Sequence, residues 1–163
     1  MSADRGGEGT VPENPGIAAA LVRLSFLVQR HYAQICAQHD LSPAQAELMC
    51  VLKDQARGLT ELTRMLGVER PGLSGLVARI ERRGLVRRET NPLDRRAVTV
   101  ALTGRGKEIT DDFYAEVSGR LRQLVAHLPA DQQEQFTTTA FGILLAEEVP
   151  PIFGDAEEPG TTS

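Results

Sequence analysis

Arginines at particular spacings are the residues of this chain with chemistry to offer. Arg70, Arg79 and Arg82 fall in a segment of helical periodicity, and Arg87, Arg88, Arg95 and Arg96 flank Asn91-Pro92-Leu93-Asp94. A guanidinium stays charged and presents a planar fork of donors, which suits phosphate oxygens and the acceptor edges of bases. Residues of this type at these spacings can hold and read a nucleic acid. Bond-breaking chemistry has no comparable set: no nucleophile is paired with a base, there is no phosphate loop, and no carboxylates converge near a histidine. No enzyme, catalytic residue or cofactor is therefore expected. His31, His39 and His127 are scattered without companions at ligand spacing, so no metal site is expected.

Bulk composition points away from a polyanionic partner, since the formal net charge is -4 and the pI about 5.4. The charge is polarised along the chain, however. Residues 1–52 hold three basic residues against five acids, residues 53–107 thirteen against six, and residues 108–163 two against eleven, giving -2, +7 and -9. Phosphate neutralisation follows local charge, not the net value. A charge run alone is a solvated face; this one coincides with elements that can present it.

Those elements are mostly helical. Ile17, Leu21, Leu24, Val28, His31 and Ile35 recur at three- and four-residue spacing and predict a helix over about 15–38. Ser42-Pro43-Ala44-Gln45 is a capping-box start for a second helix over about 43–54. Leu59 can supply a one- or two-residue strand, after which Thr60 caps a short helix ending at Gly67. A reading helix follows over about 70–83, stopped by Gly84, and two alternating segments, Leu85–Thr90 and Ala97–Leu102, pair as a hairpin. Thr103 caps a long helix to about 127, Pro129 breaks it, and a last helix starts at Asp131 and reaches about 148. The expected fold is mostly α: a winged helix-turn-helix domain over 41–105 with a two-stranded wing, flanked by dimerisation helices at 15–40 and 106–148. Tails at 1–14 and 149–163, rich in Gly, Pro and acids, are expected to be disordered or to fray.

On the reading helix, Leu73, Leu76, Val77 and Ile80 form the buried stripe, expected to pack on Leu62, Met65 and Leu66. Arg70, Gly72, Ser74, Gly75, Ala78, Arg79 and Arg82 remain outward, a face small enough for the backbone to approach base edges. Arg70 and Ser74 are the base-edge candidates, while Arg79 and Arg82 are assigned to phosphates. Arg95 and Arg96 are adjacent on an extended chain and should point to opposite sides. Asp94, two residues before Arg96, is expected to fix its guanidinium for a narrow minor groove, with Arg87 and Arg88 as phosphate clamps at the wing's base.

From Leu41 to about Ile109 the chain resembles the MarR family of bacterial transcription regulators. The matching pieces are Leu41-Ser42-Pro43-Ala44-Gln45, Leu59-Thr60-Glu61-Leu62 with Leu66-Gly67-Val68, Glu81-Arg82-Arg83-Gly84-Leu85-Val86, Asp94-Arg95-Arg96 and Leu102-Thr103. The resemblance implies an obligate homodimer built by the terminal helices, binding a pseudo-palindromic double-stranded DNA operator, usually as a repressor released by a ligand or an oxidant. Where the family's reading helix often has Ser/Thr followed by Arg, this chain has Ser74 followed by Gly75. A family operator sequence therefore does not transfer.

Independently of the family, the stripes Leu121, Leu124, Val125, Leu128 and Phe136, Ala140, Phe141, Leu144, Leu145 lie outside the small winged unit and need a partner surface. Since family pockets lie between dimerisation helices and winged unit, Phe26, Arg30, His31, Tyr32 and Met49 are the candidates for a phenolic or similar effector, although His31 also reads as a hydrogen-bonded core residue and Tyr32 and Met49 as ordinary packing. Cys36 and Cys50 make no disulfide framework and read as small buried hydrophobes; the redox alternative rests on His39, three residues after Cys36. No segment has the length of an apolar membrane span or the form of a secretion signal, so a cytoplasmic protein is expected. Two functions compete with an effector-responsive repressor: a thiol-based regulator and a winged module that binds protein.

Overall fold

Apolar residues at helical spacing give six helices among the described residues, 16–153, of the computed structural model. They are α1 (Ile17–Gln38), α2 (Pro43–Val51), α3 (Leu59–Leu66), α4 (Arg70–Arg82), α5 (Gly104–Val125) and α6 (Ala130–Ala146). Strands β1 (Arg57–Gly58), β2 (Val86–Asn91) and β3 (Asp94–Leu102) form an antiparallel sheet in the order β1-β3-β2. The expected tail at 1–14 lies outside the described residues, as does the stretch after Phe153.

Local chemistry sets most boundaries. Ser42 Oγ accepts the Gln45 N–H while Gln45 Oε1 accepts the Ser42 N–H, so the capping box at α2 is complete. Gly67 (φ 63°) and Gly84 (φ 72°) close α3 and α4 in the left-handed region, where a side chain would be strained. The two-stranded wing of β2 and β3 forms as expected, and β1 pairs with β3, Arg57 opposite Val100 and Gly58 opposite Thr99. Two other expectations are corrected. That strand precedes Leu59, and Thr60 lies inside α3, whose N-cap is Gly58 with no side-chain cap. The start of the expected loose C-terminal tail is packed: Phe153 stacks on Tyr114 with ring centroids 4.1 Å apart, and Ile152 also packs on the core. These two apolar side chains gain more from burial than the polar residues around them.

One core holds the winged unit together, with Leu48, Met49, Leu62, Leu73, Val77, Ile80, Leu85, Val86 and Val100 all buried. From the flanking helices, Ile35 and Cys36 of α1 and Phe113 and Val117 of α5 join it. Burial of each large aliphatic stabilises by roughly 1.5–3 kcal/mol, so the α4 stripe alone anchors the reading helix. Helix α6 contributes no buried residue, and the first half of α1 is exposed.

The wing root is locked to α5 at one point. The Leu85 carbonyl accepts the Thr103 N–H at 3.0 Å, Thr103 Oγ1 donates to the Gly84 carbonyl at 2.6 Å, and the same oxygen accepts the Gly106 N–H at 3.0 Å. Gly106 is buried so close to Leu85 that a Cβ there would collide with the Leu85 carbonyl oxygen. Gly106→Ala should therefore lower the denaturation midpoint by an amount equivalent to about 1–3 kcal/mol. Gly104→Ala, where a Cβ meets nothing within 4 Å, should be neutral or stabilising in the same urea titration.

Candidate nucleic-acid interface

Helix α4 is held from below and bare above. Leu73, Leu76, Val77 and Ile80 are buried, while Arg70, Gly72, Arg79 and Arg82 are exposed and Ser74, Gly75 and Ala78 half-buried. A Cβ on Gly72 would meet nothing within 4 Å, and one on Gly75 only the tip of Arg79 at 3.8 Å. Packing inside the protein therefore does not require either glycine. In a helix interior a glycine costs roughly 0.8–1.0 kcal/mol relative to Ala, and neither position recovers that by internal packing.

Ion pairing sorts the positive segment into two groups. Arg57 pairs with Glu61 and donates from Nε to the Val51 carbonyl at 2.6 Å, closing the loop after α2. Lys53 reaches Asp54 and Asp111, Lys107 pairs with Asp111, and Arg88 lies 3.7 Å from Glu81. Arg87, expected as a phosphate clamp, binds Glu89 and the Leu102 carbonyl, bracing β2 against β3. Among the described residues Arg64, Arg70, Arg79, Arg82, Arg83, Arg95, Arg96 and Arg105 have no carboxylate partner within salt-bridge distance. Arg83 nevertheless has a structural task, donating to the Asp40 carbonyl and to Gln45 Oε1. Arg64, on α3, was not singled out from the sequence; only its place in the basic segment pointed to it.

The wing departs from the regular ladder where it matters. Pairing runs from Val86 opposite Leu102 to Thr90 opposite Val98, then jumps to Asn91 opposite Asp94. Arg95, Arg96 and Ala97 thus have no opposite residue on β2, and strand alternation does not decide their directions. Asp94 Oδ1 accepts the backbone N–H of Arg96 at 3.0 Å, not its guanidinium. The acid shapes the main chain and leaves both guanidinium groups unpaired.

The expected effector residues differ in exposure. Met49 is core, Phe26 is 62 % exposed, and Tyr32 meets Phe113 edge-on at 5.4 Å with its phenol pushed above the ordinary value by burial. His31 is half-buried with an Nδ1 lacking a hydrogen-bond partner among the described residues, and Arg30 is exposed. A cavity of about 510 Å³ lies between Leu24 and Val28 of α1, Leu121, Arg122 and Val125 of α5, Phe136 of α6 and Phe153, and none of the five expected effector residues is in its described lining. Its residues are apart in sequence, and the contribution of Phe153 carries no periodic mark.

Both thiols are buried, and burial pushes Cys36 up to about 11 and Cys50 up to about 12. His39, the hinted activator of Cys36, instead bonds Glu116 Oε2 at 2.8 Å and packs edge-on against Phe113. The geometry gives the thiol-sensor alternative no support. Among the described residues no three His, Cys, Asp or Glu gather as a metal would need, and no helix is long and apolar enough to cross a membrane.

The profile of the MarR family matches residues 39–97. The homoprotocatechuate degradative operon repressor of Escherichia coli is 25% identical over 147 residues, covering 86% of this chain and 97% of that protein. The transcriptional repressor CouR, solved bound to a 23-mer DNA duplex, is 27% identical with TM-score 0.68, covering 78% of this chain and 92% of its own. NadR in complex with 4-hydroxyphenylacetate shares the fold at 22% identity and TM-score 0.66, covering 87% and 98%.

Two outcomes follow from this geometry. Gly72→Ala and Gly75→Ala should each raise the thermal midpoint, by about 0.4–1 kcal/mol of stability, yet weaken duplex binding in a mobility-shift titration. Improved stability with unchanged binding would show that no surface comes close there. The thiols give a pH dependence. The folded chain holds these protons more tightly than the unfolded one, so stability is intact below about pH 9 and falls as pH rises towards 11–12. Native alkylation at pH 8 should be about a hundredfold slower than in denaturant, and fast native labelling would contradict burial.

Proposed function

Because residues 39–97 match the MarR family of transcriptional regulators, we propose that this chain is a homodimeric, sequence-specific DNA-binding repressor, cytoplasmic and released by a small phenolic or similar ligand. The observation that carries this reading is the concentration of unpaired arginines on α3, α4 and the wing of an acidic molecule. Arg70 and Ser74 are the base-edge readers of α4, Gly72 and Gly75 admit the backbone, and Arg79 and Arg82 hold phosphates. On the wing Arg96 enters the minor groove, Arg95 and Arg88 contact its flanks, and Arg87 and Asp94 keep the hairpin in shape.

Apolar exposure supports the dimer. Ile17, Leu21, Val22 and Phe26 of α1 and Phe136, Phe141, Ile143, Leu144 and Leu145 of α6 are each about half-exposed or more. A patch of this kind marks a protein interface. A twofold pair would set two reading helices about 34–36 Å apart, one turn of DNA, on a pseudo-palindromic operator. The effector has support from the cavity, whose volume falls within the roughly 300–1,000 Å³ usual for small ligands. Arg122 is the charged member of its described lining, which suits an aromatic acid. The E. coli relative governs a homoprotocatechuate operon and NadR holds 4-hydroxyphenylacetate, both in keeping with that chemistry. These relatives are regulators, not enzymes.

Selection of bound fragments from random duplexes should return two half-sites with centres about 10–10.5 base pairs apart. Affinity should fall steeply with salt, and Arg96→Ala should weaken operator binding roughly tenfold or more while the dimer persists in sedimentation. Unchanged affinity in that variant would end the minor-groove role of Arg96. Failure to recover any sequence, with no salt-dependent binding, would favour the winged module that binds protein.

A further inference from the structure

The wing tip carries a residue that charge does not explain. Leu93 is 96 % exposed, more than the other large apolar residues that face solvent among those described. Isolated apolar side chains are ordinary on a surface, so the surroundings have to give this one a meaning. Its backbone N–H donates to Asn91 Oδ1 at 3.0 Å, and the Arg96 N–H donates to Asp94 Oδ1 at 3.0 Å. Two side-chain-to-backbone turns thus bracket Leu93, and Pro92 before it has a locked φ. Beyond Asp94, Arg95 and Arg96 lie in the stretch with no opposite residue on β2, and neither has a carboxylate partner among the described residues. The tip is an exposed apolar side chain on a hydrogen-bonded turn, with two unpaired guanidinium groups within three residues of it. The other strongly exposed apolar residues cluster on α1 and α6, so Leu93 is no part of that patch.

We propose that Leu93 is an apolar wedge that enters the minor groove of duplex DNA beside the wing arginines, packing on the sugar walls and opening the base step beneath it. The inference rests on the DNA-reading function above. A narrow minor groove concentrates negative potential and draws in the arginines. Leucine and proline are among the side chains that unstack base steps from that groove and bend the duplex away from it. Because the wedge acts by packing and deformation, its contribution is independent of salt, which separates it from every arginine nearby.

The test compares wild-type protein, Leu93→Ala, Leu93→Met and Arg95→Ala on the selected operator, measuring affinity across salt concentrations and the bend angle by end-to-end energy transfer. Leu93→Ala should bind about tenfold more weakly, the scale of losing most of a buried leucine, and bend the duplex less, with the salt slope of wild type. Leu93→Met should recover most of both, and Arg95→Ala should reduce the slope by about 1. Leu93→Ala with wild-type affinity and bend overturns the wedge alone. A slope that falls in Leu93→Ala also overturns it, since the residue would then act by positioning the arginines. Wild-type protein that binds no duplex overturns the regulator reading and the wedge together. An unchanged circular dichroism spectrum confirms that the exposed substitution leaves the fold intact.

Discussion

The carbonyl of Leu85 is where the molecule is tied together. Immediately before it, Gly84 ends the turn after α4 in the left-handed region; immediately after it, β2 begins; and on its oxygen side lie the Thr103 N–H and the bare Cα of Gly106. Thr103 closes the arrangement by bonding both the Gly84 carbonyl and the first turn of α5. Thr110 adds a buried bond to the Gly106 carbonyl one turn further on. The end of the reading helix, the root of the wing and the start of a long flanking helix thus share one hydrogen-bonded knot, and interiors packed this closely transmit displacement rather than absorb it.

Charge is divided by the same logic. Arg57, Arg83 and Arg87 each bond main-chain carbonyls and serve the frame: the loop after α2, the turn after α1 and the brace across the wing. Exposed ion pairs contribute little stability, typically about 0.2–1 kcal/mol, so the significance of these contacts lies in the geometry they fix, while Glu61 and Glu89 offset the charge of Arg57 and Arg87. What remains on α3, α4 and the wing is positive and uncompensated. The acidic third of the chain lies on α5, α6 and beyond, which is how a molecule of net charge -4 can still offer a phosphate-binding face.

The flanking helices have the opposite character. Helix α6 has 17 residues and none is buried, although Phe136, Phe141 and Leu144 would each stabilise a covered interface. The half of α1 nearest its start is equally bare, while its last turns enter the core through Ile35 and Cys36. One end of α1 thus belongs to the winged unit, and the other is exposed as α6 is. The cavity opens where α1, α5 and α6 meet, towards the end of α5 far from the knot at Leu85.

Short-range chemistry was legible in the residues themselves. The capping box at Ser42, the glycine stops at Gly67 and Gly84, the cap at Thr103, the break at Pro129 and the buried stripe of α4 each depend on neighbours within a few positions, and each stands as expected. Long-range geometry was not. The pairing of β1 with β3, the bond of Arg87 to the Leu102 carbonyl, the packing of Phe153 on Tyr114 and the cavity lined by Arg122 join residues whose meeting no local pattern encodes, and the turn by Asp94 onto the Arg96 backbone replaces the guanidinium contact that their spacing suggested. Gly106 shows the division most simply: its sequence context is an ordinary helix start, and only the approach of the Leu85 carbonyl makes a side chain there impossible. Residue types determined that a basic helix and hairpin would form, because propensity and capping act along the chain. Which charges stay free, and where a small molecule finds space, was decided by packing between distant segments.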